Sequence, residues 1–300
     1  MYWIEQVDQN GVLALSFKNA IRSNKNRKPI DVAVDAVKRI TERYPPPYTI
    51  FASGGVDSQA CIYAWLKSGV EFKVVFVKYE NEFNEHDFTE LQAFKDKHNF
   101  DLEILNFSVI SFLTTELEKY ALKYECVSPM ICTHFAMSEM IDYGTVVFSG
   151  SLSGYYFNQI SLIESAWRNY TIKSNRNIIG NFFGIEDPEL TFAFVHIYQT
   201  ISKTVENDPN IDKSIELYGR PLHNYKIKYL TYQEGGFPVI PQEIKFSGFE
   251  KIKDYCDIHF PITPRERLIY LTQPSKRAFE IKFRYPWYSR VNMNRIKIIY

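Results

Sequence analysis

The sequence predicts an α/β fold: a parallel sheet with helices on both faces, a small N-terminal β extension and a mostly helical C-terminal domain. Three observations carry this. Short apolar runs alternate with helix-period patterns from about residue 29 to residue 160. The run Ile50–Ala52 ends in a Gly-rich turn, Ser53-Gly54-Gly55-Val56-Asp57-Ser58, and a helical pattern follows at Ala60, Ile62, Tyr63, Trp65 and Leu66. Beyond about residue 160 the alternation is expected to stop. The expected units are therefore residues 1–28, a β-hairpin extension; 29–160, the α/β domain; and 161–300, the C-terminal domain.

Each element has its own signal. Tyr2–Val7 and Val12–Phe17 flank Asn10-Gly11, a hairpin dipeptide. Asn19–Lys28 is polar and basic and reads as a loop. Asp31 opens a helical pattern, Val32, Val34, Ala36, Val37 and Ile40, which ends at Tyr44 before Pro45-Pro46-Pro47. Strand Ile50–Ala52 then leads into helix Ser58–Lys67, and strand Phe72–Val77 into a polar loop and helix Phe88–His98. Strand Leu102–Phe107 leads into helices between Ser111 and Tyr143, and strand Thr145–Phe148 into Ser149-Gly150-Ser151. Further on, helices are expected at Ser161–Lys173 and Pro188–Val205, the second with Asp187 as N-cap and Pro188 at its first position. Ser247–Glu250 and Thr263–Glu266 are capping boxes. In a parallel sheet, ligands sit beyond the carboxyl ends of the strands near the topological switch point. That rule selects the turns Ser53–Ser58, Lys78–Glu82 and Ser149–Ser153.

Composition narrows the class. Apolar residues make up 45% of the 300, enough for a substantial core. No apolar run approaches the roughly 18–20 residues that span a membrane, so no membrane partner is expected. The N-terminus lacks a signal pattern, and four irregularly spaced cysteines fit a reducing, cytoplasmic compartment. Net charge is zero but uneven: residues 263–300 hold 9 basic against 2 acidic side chains.

The turn Ser53–Ser58 suits an anion. Adjacent glycines let the backbone approach a ligand and take up dihedrals closed to other residues. Successive N–H groups at a helix N-terminus form an anion-binding nest, and Ser53 and Ser58 add hydroxyl donors. Asp57 cannot bind a phosphate directly, so its expected partner is a divalent metal carried by that phosphate. No Gly-Lys-Ser or Gly-Lys-Thr follows, which excludes a Walker A loop.

In its strand–turn–helix context the hexapeptide resembles the SGGxDS signature of the PP-loop ATPases, or N-type ATP pyrophosphatases. The layout is nearest to the asparagine, NAD and GMP synthetase-type adenylating domains. The resemblance implies a Rossmann-like ATP-binding domain over residues 29–160, with ATP and Mg2+ as cofactors. It implies an AMP-forming ligase or transferase, which activates a carbonyl or carboxylate for attack by an amine or ammonia and releases pyrophosphate. By resemblance Ser53, Gly54, Gly55, Val56, Asp57 and Ser58 bind ATP and pyrophosphate. Asp57 and Ser58 act in catalysis, Asp57 holds the metal, and Val77, Lys78, Ser149, Gly150 and Ser151 border the adenosine. The resemblance covers under half of the chain and leaves the acceptor open. Two other readings stand beside it: an enzyme that modifies a tRNA or DNA base, and a nucleotide-binding module without chemistry.

The remaining polar clusters have plainer readings. Lys78 and Glu80 read equally well as strand-end charges. Asn84-Glu85-His86-Asp87 has the composition of a metal cluster, yet Asp87 reads better as an N-cap. Cys126, Cys132 and His134 lack a zinc spacing, and the cysteines read as buried and structural. Leu152-Ser153-Gly154-Tyr155-Tyr156 carries no acid where some relatives have one, which weighs against a second metal ligand. The lack of a Cys-x-x-Cys weighs against the dithiol and iron–sulfur tRNA-thiolating relatives. Position 2 is Tyr, not the Cys of a fused glutaminase, so the amine is expected from free ammonia, an amine substrate or another protein. Lys276, Arg277 and Arg284 lie among aromatics and are candidate contacts to nucleic acid or to the acceptor. The alternation Phe279, Ile281, Phe283, Tyr285 is equally that of a strand with a basic outer face.

Overall fold

The computed structural model describes residues 4–7, 13–16, 27–124, 126, 129–150, 152, 166–183, 186–211, 216–217, 220–221, 223–241, 251–252 and 296–299. Strands β1 (Ile4–Val7) and β2 (Leu13–Ser16) pair antiparallel, with Val7 opposite Leu13. The Asn10-Gly11 turn lies outside the described residues, as do both C-terminal capping boxes.

Helix α1 (Pro29–Arg43) starts at a proline whose missing N–H is no loss at a first helical position. It buries Ile30, Val32, Ala33, Ala36, Val37 and Ile40 along one stripe. Strand β3 (Tyr48–Phe51) follows, then α2 (Val56–Ser68), β4 (Lys73–Tyr79), α3 (Glu85–His98) and β5 (Leu102–Phe107). The helical text after Ser108 forms three abutting segments: Val109–Ser111, a π-helical turn Phe112–Glu116, and α4 (Leu117–Tyr124). Then come α5 (Pro129–Ser138), β6 (Thr145–Phe148), helical residues 166–174 as α6, and β7 (Asn177–Ile179).

β3 to β7 form one all-parallel sheet in the order β5-β4-β3-β6-β7. β7 corrects the sequence reading, since the α/β alternation continues past residue 160 by a helix and a strand. All four residues of β3 and of β6 are buried, as strands covered on both faces must be. On one face Ile50, Val74, Phe76 and Val147 pack with α1, α2 and α3. On the other Phe51, Val75, Val77, Val146 and Phe148 pack with α4, α5 and α6. Successive connections leave β3 in opposite directions, first toward β4 and β5, later to β6 and β7. The topological switch point therefore lies between β3 and β6.

Helix α7 (Pro188–Asn207) begins as its sequence predicts: the Asp187 side chain accepts the Leu190 N–H at 3.0 Å. The same carboxylate takes a two-point ion pair from Arg39 of α1, at 2.7 and 2.9 Å. The two-residue strands β8 (Glu216–Leu217) and β9 (Arg220–Pro221) precede α8 (His223–Glu234), which packs on α7 and α2. A turn at Gly235-Gly236 ends α8, and the Gly235 carbonyl accepts the Ile30 N–H at 3.0 Å. Strand β10 (Ile296–Ile299) pairs parallel with β2. Among the described residues no helix is long and apolar enough to cross a membrane.

Candidate active site

The loop 53–55 leaves the carboxyl end of the central strand β3 and turns into α2 at the switch point. Its two glycines do different things. Gly54 has φ +74°, and a Cβ there would lie 2.2 Å from the Asp87 carbonyl oxygen of α3. Gly55 is the N-cap of α2 with φ −62° and ψ 158°, extended backbone open to any residue. The expectation that both glycines need special dihedrals is thus corrected: only Gly54 does. Helix α2 also starts earlier than expected, at Val56, whose side chain joins the core.

Three serines meet across the switch point. Ser58 Oγ accepts the Ser53 N–H at 3.1 Å and lies 3.3 Å from Ser53 Oγ and 3.5 Å from Ser149 Oγ. Ser149 follows β6, so the hydroxyl cluster bridges the two central strands. Gly150 beside it has φ +69°, and a Cβ there would meet the Asn181 side chain, which follows β7. Ser151 lies outside the described residues.

Asp57 is 6% exposed and sits in the first turn of α2. One carboxylate oxygen accepts Lys228 Nζ at 2.8 Å. The other accepts the Leu152 N–H at 3.0 Å and the Tyr232 hydroxyl at 2.8 Å. Lys228 and Tyr232 lie one turn apart on one face of α8. The Tyr232 ring is fixed by Phe183, Phe194 and Phe237, with centroids 5.2, 5.5 and 5.6 Å away. A second strut joins the same parts. Gln59 donates to the Gly54 carbonyl at 2.8 Å and accepts the Ile240 N–H at 2.7 Å. Neither Lys228 nor Tyr232 nor Gln59 stands out in the sequence. The four-residue spacing of Lys228 and Tyr232 is the one local trace of their shared face.

At the end of β4, Lys78 pairs with Glu85 of α3 at 2.9 Å. Asn84 donates to the Val77 carbonyl and accepts the Tyr79 N–H, at 2.8 and 2.9 Å. Asn84 is also the N-cap of α3, without a side-chain capping bond, so the expectation that Asp87 caps this helix is corrected. Asp87 instead sits in the first turn, with its backbone against Gly54. Glu80 accepts the Val109 and Ile110 N–H groups, each at 2.8 Å, and so closes the start of the helical run after β5. Cys126 and Cys132 are buried, as expected, with Cys132 Sγ 3.7 Å from the Cys126 carbonyl. Burial pushes the Cys132 thiol well above its ordinary range. His134 stacks on Phe148 at 5.0 Å, and burial pushes its pKa down to about 4. Lys276, Arg277 and Arg284 lie outside the described residues.

In fold the chain is similar to NMN synthetase from Francisella tularensis, at 13% identity over 83% of this chain and 94% of that one, with a TM-score of 0.35. It is also similar to an NH3-dependent NAD synthetase from Campylobacter jejuni, at 10% identity over 72% and 98%, with a TM-score of 0.33. No family model matches the chain, and no curated protein matches it. At such scores these likenesses carry no argument about substrates or individual residues. The class rests on the five-stranded, all-parallel, Rossmann-like sheet itself.

Proposed function

We propose that the chain binds ATP at Ser53–Ser58 and cleaves it to AMP and pyrophosphate. In this reading it adenylates a carbonyl or carboxylate for attack by an amine or ammonia. The observation that supports it most is the place of the complete SGGxDS-type hexapeptide, at the carboxyl end of the central strand, over a helix N-terminus and beside the switch point. Backbone N–H groups of the loop hold the phosphates, and the hydroxyls of Ser53, Ser58 and Ser149 orient them. Ser149 and Gly150 border the adenosine, where the left-handed glycine lets a flat ring lie against the backbone. On the β4 side the Val77 carbonyl already serves Asn84 and the Lys78 ammonium already serves Glu85, so their proposed adenosine contacts need these bonds to be shared.

A metal that arrives with the nucleotide would be held by Asp57, whose oxygen now facing Lys228 would have to exchange partners. Asp57 supplies one carboxylate, and among the described residues no group of three His, Cys, Asp or Glu forms a cluster that holds an ion alone. When bound, Mg2+ supplies charge neutralisation on the departing pyrophosphate.

The test is product analysis with ATP, Mg2+ and pools of small-molecule or tRNA acceptors. AMP and pyrophosphate in equal amounts, lost in Gly55→Val, are expected. ADP and phosphate would contradict the proposal. Bound but unconsumed ATP with every pool would leave a nucleotide-binding module in its place.

A further inference from the structure

Resting on the reading of Ser53–Ser58 as a phosphate cradle, we propose that Asp57 and Lys228 form an exchangeable ion pair. It makes the site accept a metal-complexed polyphosphate and reject either ion alone. The carrying observation is where α8 puts its charge. Lys228 Nζ lies 2.8 Å from Asp57, with the two side chains 13% and 8% exposed. The pair is therefore largely desolvated, held between the first turn of α2 and α8.

The charges decide what can enter. A bare polyanion meets the negative Asp57, and a bare divalent cation meets the positive Lys228. The complex brings both signs: its cation takes the place of Lys228 at Asp57, and its phosphates take the place of Asp57 at Lys228. One ion pair becomes two, and neither buried charge is left alone, which is the costly outcome. Tyr232 is a positioning residue in this exchange. Its hydroxyl and the Leu152 N–H hold one oxygen of Asp57 while the other changes partner. α8 thereby becomes part of the phosphate site, although it lies 171 residues along the chain from Asp57.

Calorimetric titration of the full chain tests this with ATP plus Mg2+, ATP plus EDTA, and Mn2+ alone. The wild type should bind the magnesium complex at least about tenfold more tightly than bare ATP. Asp57→Asn keeps an acceptor oxygen for Leu152 and Tyr232 but removes the negative charge that faces Lys228 and would repel phosphate, so it should bind bare ATP at least about tenfold more tightly than wild type. Lys228→Met should gain a similar factor for Mn2+ alone and lose a similar factor for the magnesium complex. If Lys228→Met does not fold, Asp57→Asn/Lys228→Met, with both charges gone, should bind ATP equally with and without Mg2+. Wild-type binding that ignores Mg2+, or variants that leave bare-ATP and Mn2+ affinities unchanged, overturn the exchange and leave the cradle standing. A wild type that binds no ATP under any of these conditions overturns both.

Discussion

At Gly54, positive φ and the 2.2 Å approach to the Asp87 carbonyl act together, so any side chain there is strained twice. Gly54→Ala should lower the melting temperature through a loss of about 1–2 kcal/mol for the left-handed conformation, with the clash in addition. An alanine variant as stable as wild type would show that the loop does not press on α3 in this way. His134 gives a pH prediction. Its folded pKa of about 4 lies below the ordinary 6.5, so the unfolded chain binds the proton first as pH falls. The stability this group contributes is therefore intact above pH 6.5 and levels off below about pH 4. Between those limits it declines by about 1.4 kcal/mol for each pH unit. His134→Phe keeps a ring on Phe148 and should flatten that limb in melting curves taken from pH 4 to 7. An unchanged limb would mean that His134 takes up its proton at the same pH in the folded and the unfolded chain. In the sequence His134 was visible only as a failed zinc ligand; its neutral state follows from neighbours that no spacing reveals.

Elements were legible where local signals agree with tertiary placement. β3, β5 and β6 are apolar or alternating runs bounded by breakers, and Asp187-Pro188 is a helix start whose cap and first position both fit. β7 was missed because Asn177–Ile179 offers three residues, too few for any period. Its place is set from outside: Arg176 binds the Ser138 carbonyl at 2.9 Å, and Phe182 and Phe183 donate to Phe148 and Ser149. The cap of α3 was misassigned because Asn84 spends its side chain on β4, where sequence pattern cannot follow it. Asp187 joins two elements, as cap of α7 and as anchor for Arg39 of α1, at 2% exposure. Asp187→Ala should cost about 1–3 kcal/mol, since it removes the cap and one of the two carboxylates on Arg39, which keeps Glu189 at 3.4 Å. Denaturant titration checks this, and a loss below about 1 kcal/mol would reduce the pair to a surface contact.

On the scale of the whole molecule, the motif loop was readable from six consecutive residues, whereas its surroundings were not. Asp57 is met by Leu152, Lys228 and Tyr232, which are 95, 171 and 175 residues away. Each belongs to a stretch of ordinary local character, so only the folded chain brings them together. The sheet order puts the Ser53–Ser58 loop and the Ser149-Gly150 turn on the two sides of one switch point, and the nucleotide reading depends on that placement. Equilibrium binding of ATP–Mg2+ to wild type and to Gly55→Val tests it most directly. The dihedrals of Gly55 are open to any residue, and native circular dichroism is the check that the variant folds. The account predicts saturable binding by the wild type and at least a hundredfold weaker binding, about 2.7 kcal/mol, by a variant with native circular dichroism. Equal affinity in a folded Gly55→Val would contradict it.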